Sequence, residues 1–443
     1  MINRQYRTCT NILIEVVSLV IEALSWIELK RINEPMAFSK TIEQLNIIDE
    51  KVMHQAYRLI VETTRRRNAI DFILKGVLED NKVEDLKLGV RNLLRLYVFE
   101  LKYGKKRYDE ALQIVELGRK ILGRKALSKV EEVFDILPGF EINYFDLSKV
   151  EKIALETFHP VWFVEYCQKL LRTNAIKFLK TSELPEYVRI NSLKIDKLDV
   201  PWGNFSSISG LSGIYKADSL EKTLSRTKEY KKGFFSIQDK ASFLVGLVAA
   251  PEAGMTVLDV CAAPGGKTGH LAELMGNVGH IYSVDFNERR TNIWKKEMKR
   301  LGVKITTPII SDARKDLPDV EADIVLVDPP CTGTGTFIRM PSGKWRIQRN
   351  SFKRMRAVQE QILKRSAERV LHGGSLVYST CSISIEENEM VIKRFLDRNR
   401  DFKLVKQSPR IGVSGFEGQY LAQRLYPNLH ECNGFYIAKM VRE

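Results

Sequence analysis

From about residue 242 to its end the chain alternates short apolar runs with longer amphipathic segments, and no other feature restricts the fold as much. Residues 256–260, 280–285, 305–310, 324–327 and 375–379 read as strands, being short, apolar and bounded by turn residues. Residues 266–275, 287–301, 352–371 and 386–396 read as helices. Strands separated by helices of ten or more residues pair in parallel, because each crossover must carry the chain back to the same edge of the sheet. A doubly wound, Rossmann-like α/β domain is therefore expected over 241–443, with 435–440 available as a last strand. Ligands of such sheets bind outside the carboxyl ends of the strands, so the residues that follow each strand carry the function.

After the first strand comes CAAPGGKT, 261–268, running directly into a helix. Gly265 and Gly266 let backbone approach a ligand, and the helix start offers unpaired N–H groups to an anion. A P-loop would need glycine where Cys261 stands, and the dinucleotide pattern G-x-G-x-x-G is absent. What remains suits an amino-acid carboxylate and ammonium, such as the methionine end of S-adenosylmethionine. Asp285, closing the second strand, then lies where an acid receives ribose hydroxyls, and Asp312, after the third, lies beside the adenine. Either acid alone is more often a helix cap; a loop followed by two acids in this order is a methyltransferase layout.

The strand 324–327 stops at Asp328-Pro329-Pro330-Cys331, since neither proline can donate to a ladder. The strand 375–379 stops at Thr380-Cys381. If the two strands are neighbours, both thiols and Asp328 share one edge. A single buried cysteine is usually inert packing, but two at matching strand ends beside an acid suit a specific chemistry. Carbon 5 of cytosine is a poor nucleophile until a thiolate adds to carbon 6, and an ordinary thiol, with pKa about 8.5, is only slightly ionised near neutrality. Asp328 is suited to hydrogen-bond N3 and the 4-amino group as charge builds there. From the residues alone Cys331, the more conspicuous thiol on its rigid turn, reads first as the nucleophile.

The chain ahead of this region is too long to share its core. Residues 1–145 read as all-α: Leu86, Val90, Leu93, Leu94, Tyr97 and Leu101 recur at helical spacing, as do Val52, Ala56, Leu59, Ile60 and Thr63. Leu137-Pro138-Gly139 ends the last of these helices and marks a boundary. Residues 146–240, with a helix from His159 to Leu171 and an alternating strand at 187–193, read as a small α+β RNA-binding or linker module. A net charge of +15 attracts polyanions, nucleic acid first and anionic membrane second. Arg65-Arg66-Arg67 and Lys105, Lys106, Arg107 are either a solvated basic face or an RNA-binding one. Arg189 and Asn191, alternating onto one strand face, either meet RNA backbone or face solvent.

Six scattered cysteines without a CxxC pair, and six histidines without an HxH or HxxxH cluster, suggest neither a disulfide framework nor a metal site. The apolar run 11–26 is too short and too charged to span a bilayer, and no secretory signal opens the chain. A reducing, cytoplasmic location is expected. With no assembly motif, so is a monomer.

LDVCAAPGGKT, VDPPCTGTG, YSTCSI and RLYPNLHECNGFYIAKM together resemble the RNA (cytosine-5) methyltransferase family, as do FSIQDKAS and the strand near 187–193. The resemblance runs from about residue 159 to the end, and the helical leader resembles the NusB-type RNA-binding domain of the bacterial Sun/Fmu-type rRNA methylases. It implies methylation of carbon 5 of a cytidine in RNA, rRNA before tRNA, through a cysteine–carbon 6 adduct. It also implies that Cys381 attacks and that Cys331 promotes product release. Cofactor contacts fall to Cys261, Ala262, Ala263, Pro264, Gly265, Gly266, Lys267, Asp285, Arg290, Asp312 and Asp328, with Lys267 ordering the active site and the base. The sequence departs from the family in following Asp285 with Phe286-Asn287. The competing reading, a non-catalytic RNA-binding factor for ribosome assembly, sits poorly with both thiols, Asp328 and the loop retained. An exocyclic-amine methylase would need an aromatic residue where Cys331 stands.

Overall fold

The computed structural model describes residues 2–78, 82–104 and 106–443, and side chains from residue 12 onward. Lys105 and the Cys9 side chain lie outside the described residues. The chain divides into two compact units, one ending at Lys180 and also holding Phe337–Ile347, the other comprising Thr181–Thr336 and Gln348–Glu443.

The first unit is helical. Ile2–Lys30, Glu34–Leu45, Glu50–Arg65, Arg67–Val77, Leu88–Lys102 and Tyr108–Leu122 enclose one core that includes Val20, Leu24, Leu59, Ile60, Leu93, Tyr97 and Ile114. Asn33 and Asp49 cap the second and third of these helices, taking the Met36 and Lys51 amides at 3.1 and 2.7 Å. The helix Leu88–Lys102 is buried on nearly all sides, so it carries Arg95 inside the bundle, where Asp71 and Glu28 neutralise it at 2.7 and 2.6 Å. The triple arginine is neither a solvated face nor an open basic patch. Arg66 pairs with Glu62 and lies over the Phe158 ring, Arg67 pairs with Asp71 and Glu28, and Arg65 pairs with Glu62. These charges are half-buried and spent within the unit.

Two expected boundaries move. The helices Lys149–Glu156, Val161–Leu171 and Ala175–Lys180 belong to the helical unit and not to a linker module that starts at 146. Asn68 Nδ2 holds the carbonyls of Ala154 and His159 at 2.8 and 3.0 Å, and Phe163 packs on Phe337 with ring centroids 5.0 Å apart. The α/β domain is also not continuous over 241–443, because Phe337–Ile347 is bonded into the helical unit. Glu34 accepts both the amide and the hydroxyl of Ser342, at 2.6 and 2.8 Å. Trp345 Nε1 donates to Thr64 O at 2.7 Å, and Lys344 Nζ to Phe158 O at 2.9 Å.

The second unit has two sheets. Strands β1 (Tyr187–Ile190), β2 (Gly203–Ile208), β3 (Leu211–Leu220) and β4 (Phe235–Ile237) form an antiparallel sheet in the order β2-β3-β1-β4. Arg189 and Asn191 are not on an outward face. Arg189 is 1% exposed, paired with Glu273 at 2.8 Å and bonded to Gln238 and Gly266 O. Asn191 holds Gly233 O and Leu301 O, each at 2.8 Å.

The second sheet contains β5 (Thr256–Val260), β6 (His280–Asp285), β7 (Thr306–Ile310), β8 (Ala322–Val327), β9 (Val370–Thr380), β10 (Phe402–Leu404), β11 (Val413–Ser414), β12 (Gln423–Leu425) and β13 (Phe435–Arg442). Its order is β11-β12-β13-β9-β8-β5-β6-β7, with β10 on β13. Strands β5 to β9 pair in parallel, whereas β13 runs antiparallel to β9. Helices Gly266–Leu274, Glu288–Leu301, Arg349–Ala367 and Glu389–Arg398 make the connections. The helix expected to 371 ends at Ala367, because Val370 and Leu371 already belong to β9. The order reverses between β5 and β8, and there the loops after both strands face one crevice.

Candidate active site

The loop after β5 is shaped by its own backbone. Cys261 has φ +68° and Gly265 φ +108°. A side chain at Gly265 would meet Met298 Cε at 2.8 Å, so glycine lets the loop close onto the next helix. That turn aims the start of the helix Gly266–Leu274 into the crevice. Asp285 is buried at the end of β6, where its carboxylate accepts the Ala263 and Asn287 amides at 3.2 and 3.1 Å and pairs with Arg290 at 3.2 Å. Arg290 also donates to Ala263 O, so Asp285, Arg290 and the loop form one unit. Asn287 caps the following helix by accepting the Arg290 amide at 3.0 Å, and this occupies the residue at which the sequence departs from the family pattern.

A cavity of about 700 Å³, including its open mouth, is lined by Cys261, Asp285, Phe286, Asp312, Pro330 and Met355, among others. Acids at the ends of β6 and β7 beside apolar walls suit a nucleoside: carboxylates for sugar hydroxyls and a greasy slot for a base. The residues present therefore fit S-adenosylmethionine. Asp312 is held down at about 2 by hydrogen bonds from Arg314, with which it also pairs at 2.6 Å, so it presents a charged carboxylate at any working pH. The Cys261 thiol is pushed well up by burial and by the carboxylates of Asp328 and Asp285, which removes it as a nucleophile.

Strands β8 and β9 are neighbours in register, Val327 opposite Tyr378, so their ends meet. Cys331 Sγ and Cys381 Sγ lie 3.2 Å apart. Asp328 accepts Lys267 Nζ at 2.7 Å on one oxygen and Ser379 Oγ at 3.0 Å on the other. Burial opposes the Lys267 charge, but Asp328 outweighs it and Cys381 adds to the pull, so the ammonium persists above its ordinary value. Lys267 also lies 5.5 Å from the Phe435 ring centroid. Cys331 is driven well above the usual thiol range, first by its hydrogen bond to Cys381 and then by burial and the charges of Cys381, Glu387 and Asp328. The Cys331 sulfur therefore holds its proton firmly.

Asp259, on β5 beneath the loop, escaped the sequence reading because it looks like one polar residue in a buried strand. It accepts Thr268 Oγ1 at 2.6 Å, and Trp294 Nε1 donates to that same hydroxyl at 3.0 Å. Burial raises its carboxyl to about 7. The favourable contribution of the neutral form is complete below pH ~4, the ordinary carboxyl value, and is lost as pH rises through about 7. Asp259→Asn is expected to narrow the fall in urea midpoint between pH 5 and pH 8, by roughly 1–3 kcal/mol in unfolding free energy. An unchanged fall would assign that slope to another group, such as Glu273, whose carboxyl burial also raises to about 7.

Residues 246–441 match the family model described as 16S rRNA methyltransferase RsmB/F, and residues 18–129 match the NusB family. The chain is 32% identical over 429 residues to a Bacillus subtilis protein described as "Probable ribosomal RNA small subunit methyltransferase B", covering 90% of this chain and 93% of that one. A Pyrococcus horikoshii tRNA (cytosine(72)-C(5))-methyltransferase is 38% identical over 223 residues, covering 49% of this chain and 55% of the relative. The crystal structure of PH0851 superposes with a TM-score of 0.84 at 26% identity, over 97% of this chain and 99% of its own.

Proposed function

Because the chain belongs to the RsmB/F family of S-adenosylmethionine-dependent RNA cytosine-5 methyltransferases, we propose that it methylates a cytidine of small-subunit rRNA through a covalent adduct on Cys381. The observation that carries this reading is the pair of sulfurs 3.2 Å apart beside the Lys267–Asp328 ion pair. The rRNA target is supported by the relative that matches both the helical and the catalytic regions, whereas the tRNA-modifying relative spans only half the chain.

Cys331 is held protonated, so attack falls to the Cys381 sulfur 3.2 Å from it, the role that the family resemblance gives it. Its sulfur bonds to carbon 6, and the displaced electron pair moves toward N3. Asp328 accepts a hydrogen bond from the 4-amino group, and Lys267, which orients that carboxylate, offsets the negative charge that builds on the ring until carbon 5 forms its new bond. The cofactor, when bound, supplies an electrophilic methyl group to the electron-rich carbon 5. The proton on carbon 5 must then leave, and the carbon 6–sulfur bond breaks to return Cys381 as thiolate.

Cys331 suits that last stage. The largest cause of its raised pKa is the hydrogen bond to Cys381, which is lost once Cys381 is a thioether. Cys331 then gives up its own proton to water more readily, and the thiolate takes the carbon-5 proton. Attack and release are separated in time by the state of one sulfur. Phosphates of the RNA meet a surface with excess positive charge.

The test is incubation of the protein and methyl-labelled cofactor with total RNA from cells lacking the gene, followed by bisulfite mapping. One 5-methylcytidine in small-subunit rRNA is expected. Label confined to tRNA would replace the proposed target, and no incorporation at all would favour the ribosome-assembly factor.

A further inference from the structure

Behind the two thiols lies a carboxylate that the mechanism above does not use. Glu387 is completely buried, and five donors converge on it. One oxygen accepts the Thr332 amide at 2.8 Å and Gln359 Nε2 at 3.1 Å. The other accepts Ser382 Oγ at 2.6 Å, Ser384 Oγ at 2.8 Å and the Thr332 hydroxyl. Thr332 directly follows Cys331, and Ser382 directly follows Cys381. Neighbouring bonds extend the bracket: Gln359 also holds Pro330 O at 3.0 Å, and Asn388 Nδ2 holds Ser382 O at 2.9 Å. Each cysteine is thus held through the residue that follows it, and the two loops also meet directly, Gly335 N donating to Cys381 O at 2.9 Å and Ile383 N to Thr334 Oγ1 at 3.0 Å.

We propose that Glu387 is the positioning residue of the thiol pair: its carboxylate ties the Cys331 loop to the Cys381 loop and so fixes the distance between the two sulfurs. This rests on the covalent reading above, in which Cys331 acts on an adduct carried by Cys381. A carboxylate suits the task because it offers only acceptors, so all five donors can be satisfied without a competing orientation. Its charge also faces Cys331, where it favours the protonated thiol. A buried glutamate that merely stabilised a turn would contribute to folding and leave the order of the chemical steps alone.

The experiment compares wild type, Glu387→Gln, Cys331→Ala and the double variant on total RNA from cells lacking the gene, reading kcat, the KM for RNA, cofactor affinity and RNA–protein adduct on denaturing gels. Glutamine keeps the volume but puts an NH2 where an oxygen receives Thr332 or Ser382, so one loop must shift. The expected result is a kcat about 10- to 100-fold lower, with KM and cofactor affinity within about 2-fold of wild type and adduct accumulating. In the Cys331→Ala background the same change should cost less than about 3-fold more, since both act on one step. Losses that multiply in the double variant, or an unchanged kcat, overturn the proposal. Should Glu387→Gln fail to fold, Thr332→Val, which deletes one donor, decides it. A several-fold fall with added adduct supports the proposal, and wild-type kinetics overturn it. Wild-type methylation with no adduct in any Cys331→Ala sample would instead sink the releasing role of Cys331 on which this proposal rests.

Discussion

Cys381→Ala is expected to abolish methyl transfer, with a loss of at least ~10⁴-fold, because without the attacking sulfur carbon 5 never becomes electron-rich. The change removes a partly buried side chain from a strand end and leaves the Asp285, Arg290 and 261–267 assembly intact, so cofactor affinity should stay within about 2-fold of wild type. Thermal unfolding and cofactor binding establish that the fold survives, and methyl-labelled RNA reads the chemistry. Since Cys331 keeps its proton through contact with Cys381, removing Cys381 also frees Cys331 to ionise. Residual activity within about 100-fold of wild type would therefore mean that either thiol can attack, and the assignment of roles would fail.

Cys331→Ala is expected to stop the cycle after methyl transfer rather than before it. One equivalent of methyl should enter RNA rapidly, multiple turnover should fall by about 10²- to 10³-fold, and a methylated RNA–protein adduct should resist denaturing gel electrophoresis. The decisive readout is the ratio of the burst to the steady rate. A variant that loses burst and steady rate equally would have lost attack, which would return the nucleophile to the Pro-Pro-Cys turn. A variant that turns over like wild type would leave Cys331 with only a packing role.

The α/β unit was legible in outline because its signals are local. The central strands β5 and β8 are apolar runs buried on both faces, and following helices have starts that the sequence marks, such as Asn287 before Glu288–Leu301. The two thiols followed from the same logic, since matching strand ends meet only if β8 and β9 are neighbours, as they are. Glu387 was not legible. Its polar neighbours Glu386 and Asn388 made it look like the exposed first turn of a helix that begins instead at Glu389. The signal available was the run of hydroxyl residues Ser382 and Ser384 just before it, which must find an acceptor if buried. Arg189 misled for the opposite reason: strand alternation places a charge on a face, but only tertiary packing shows that Glu273 meets it there. The short strands β10 to β12 carry two or three residues each and leave no periodicity to find.

The eleven residues 337–347 lie in sequence between Thr336 and Gln348, yet Phe337, Ser342, Lys344 and Trp345 have their partners among the helices that end at Lys180. The two parts of this protein are accordingly not beads that recombination can exchange at one junction. A gene segment starting at residue 181 would encode a stretch whose apolar and buried polar side chains belong to a core encoded elsewhere. Drift in the leader at Glu34 or Thr64 must be matched by drift three hundred residues away, so the two halves are bound to a shared history of substitution as well as a shared chain.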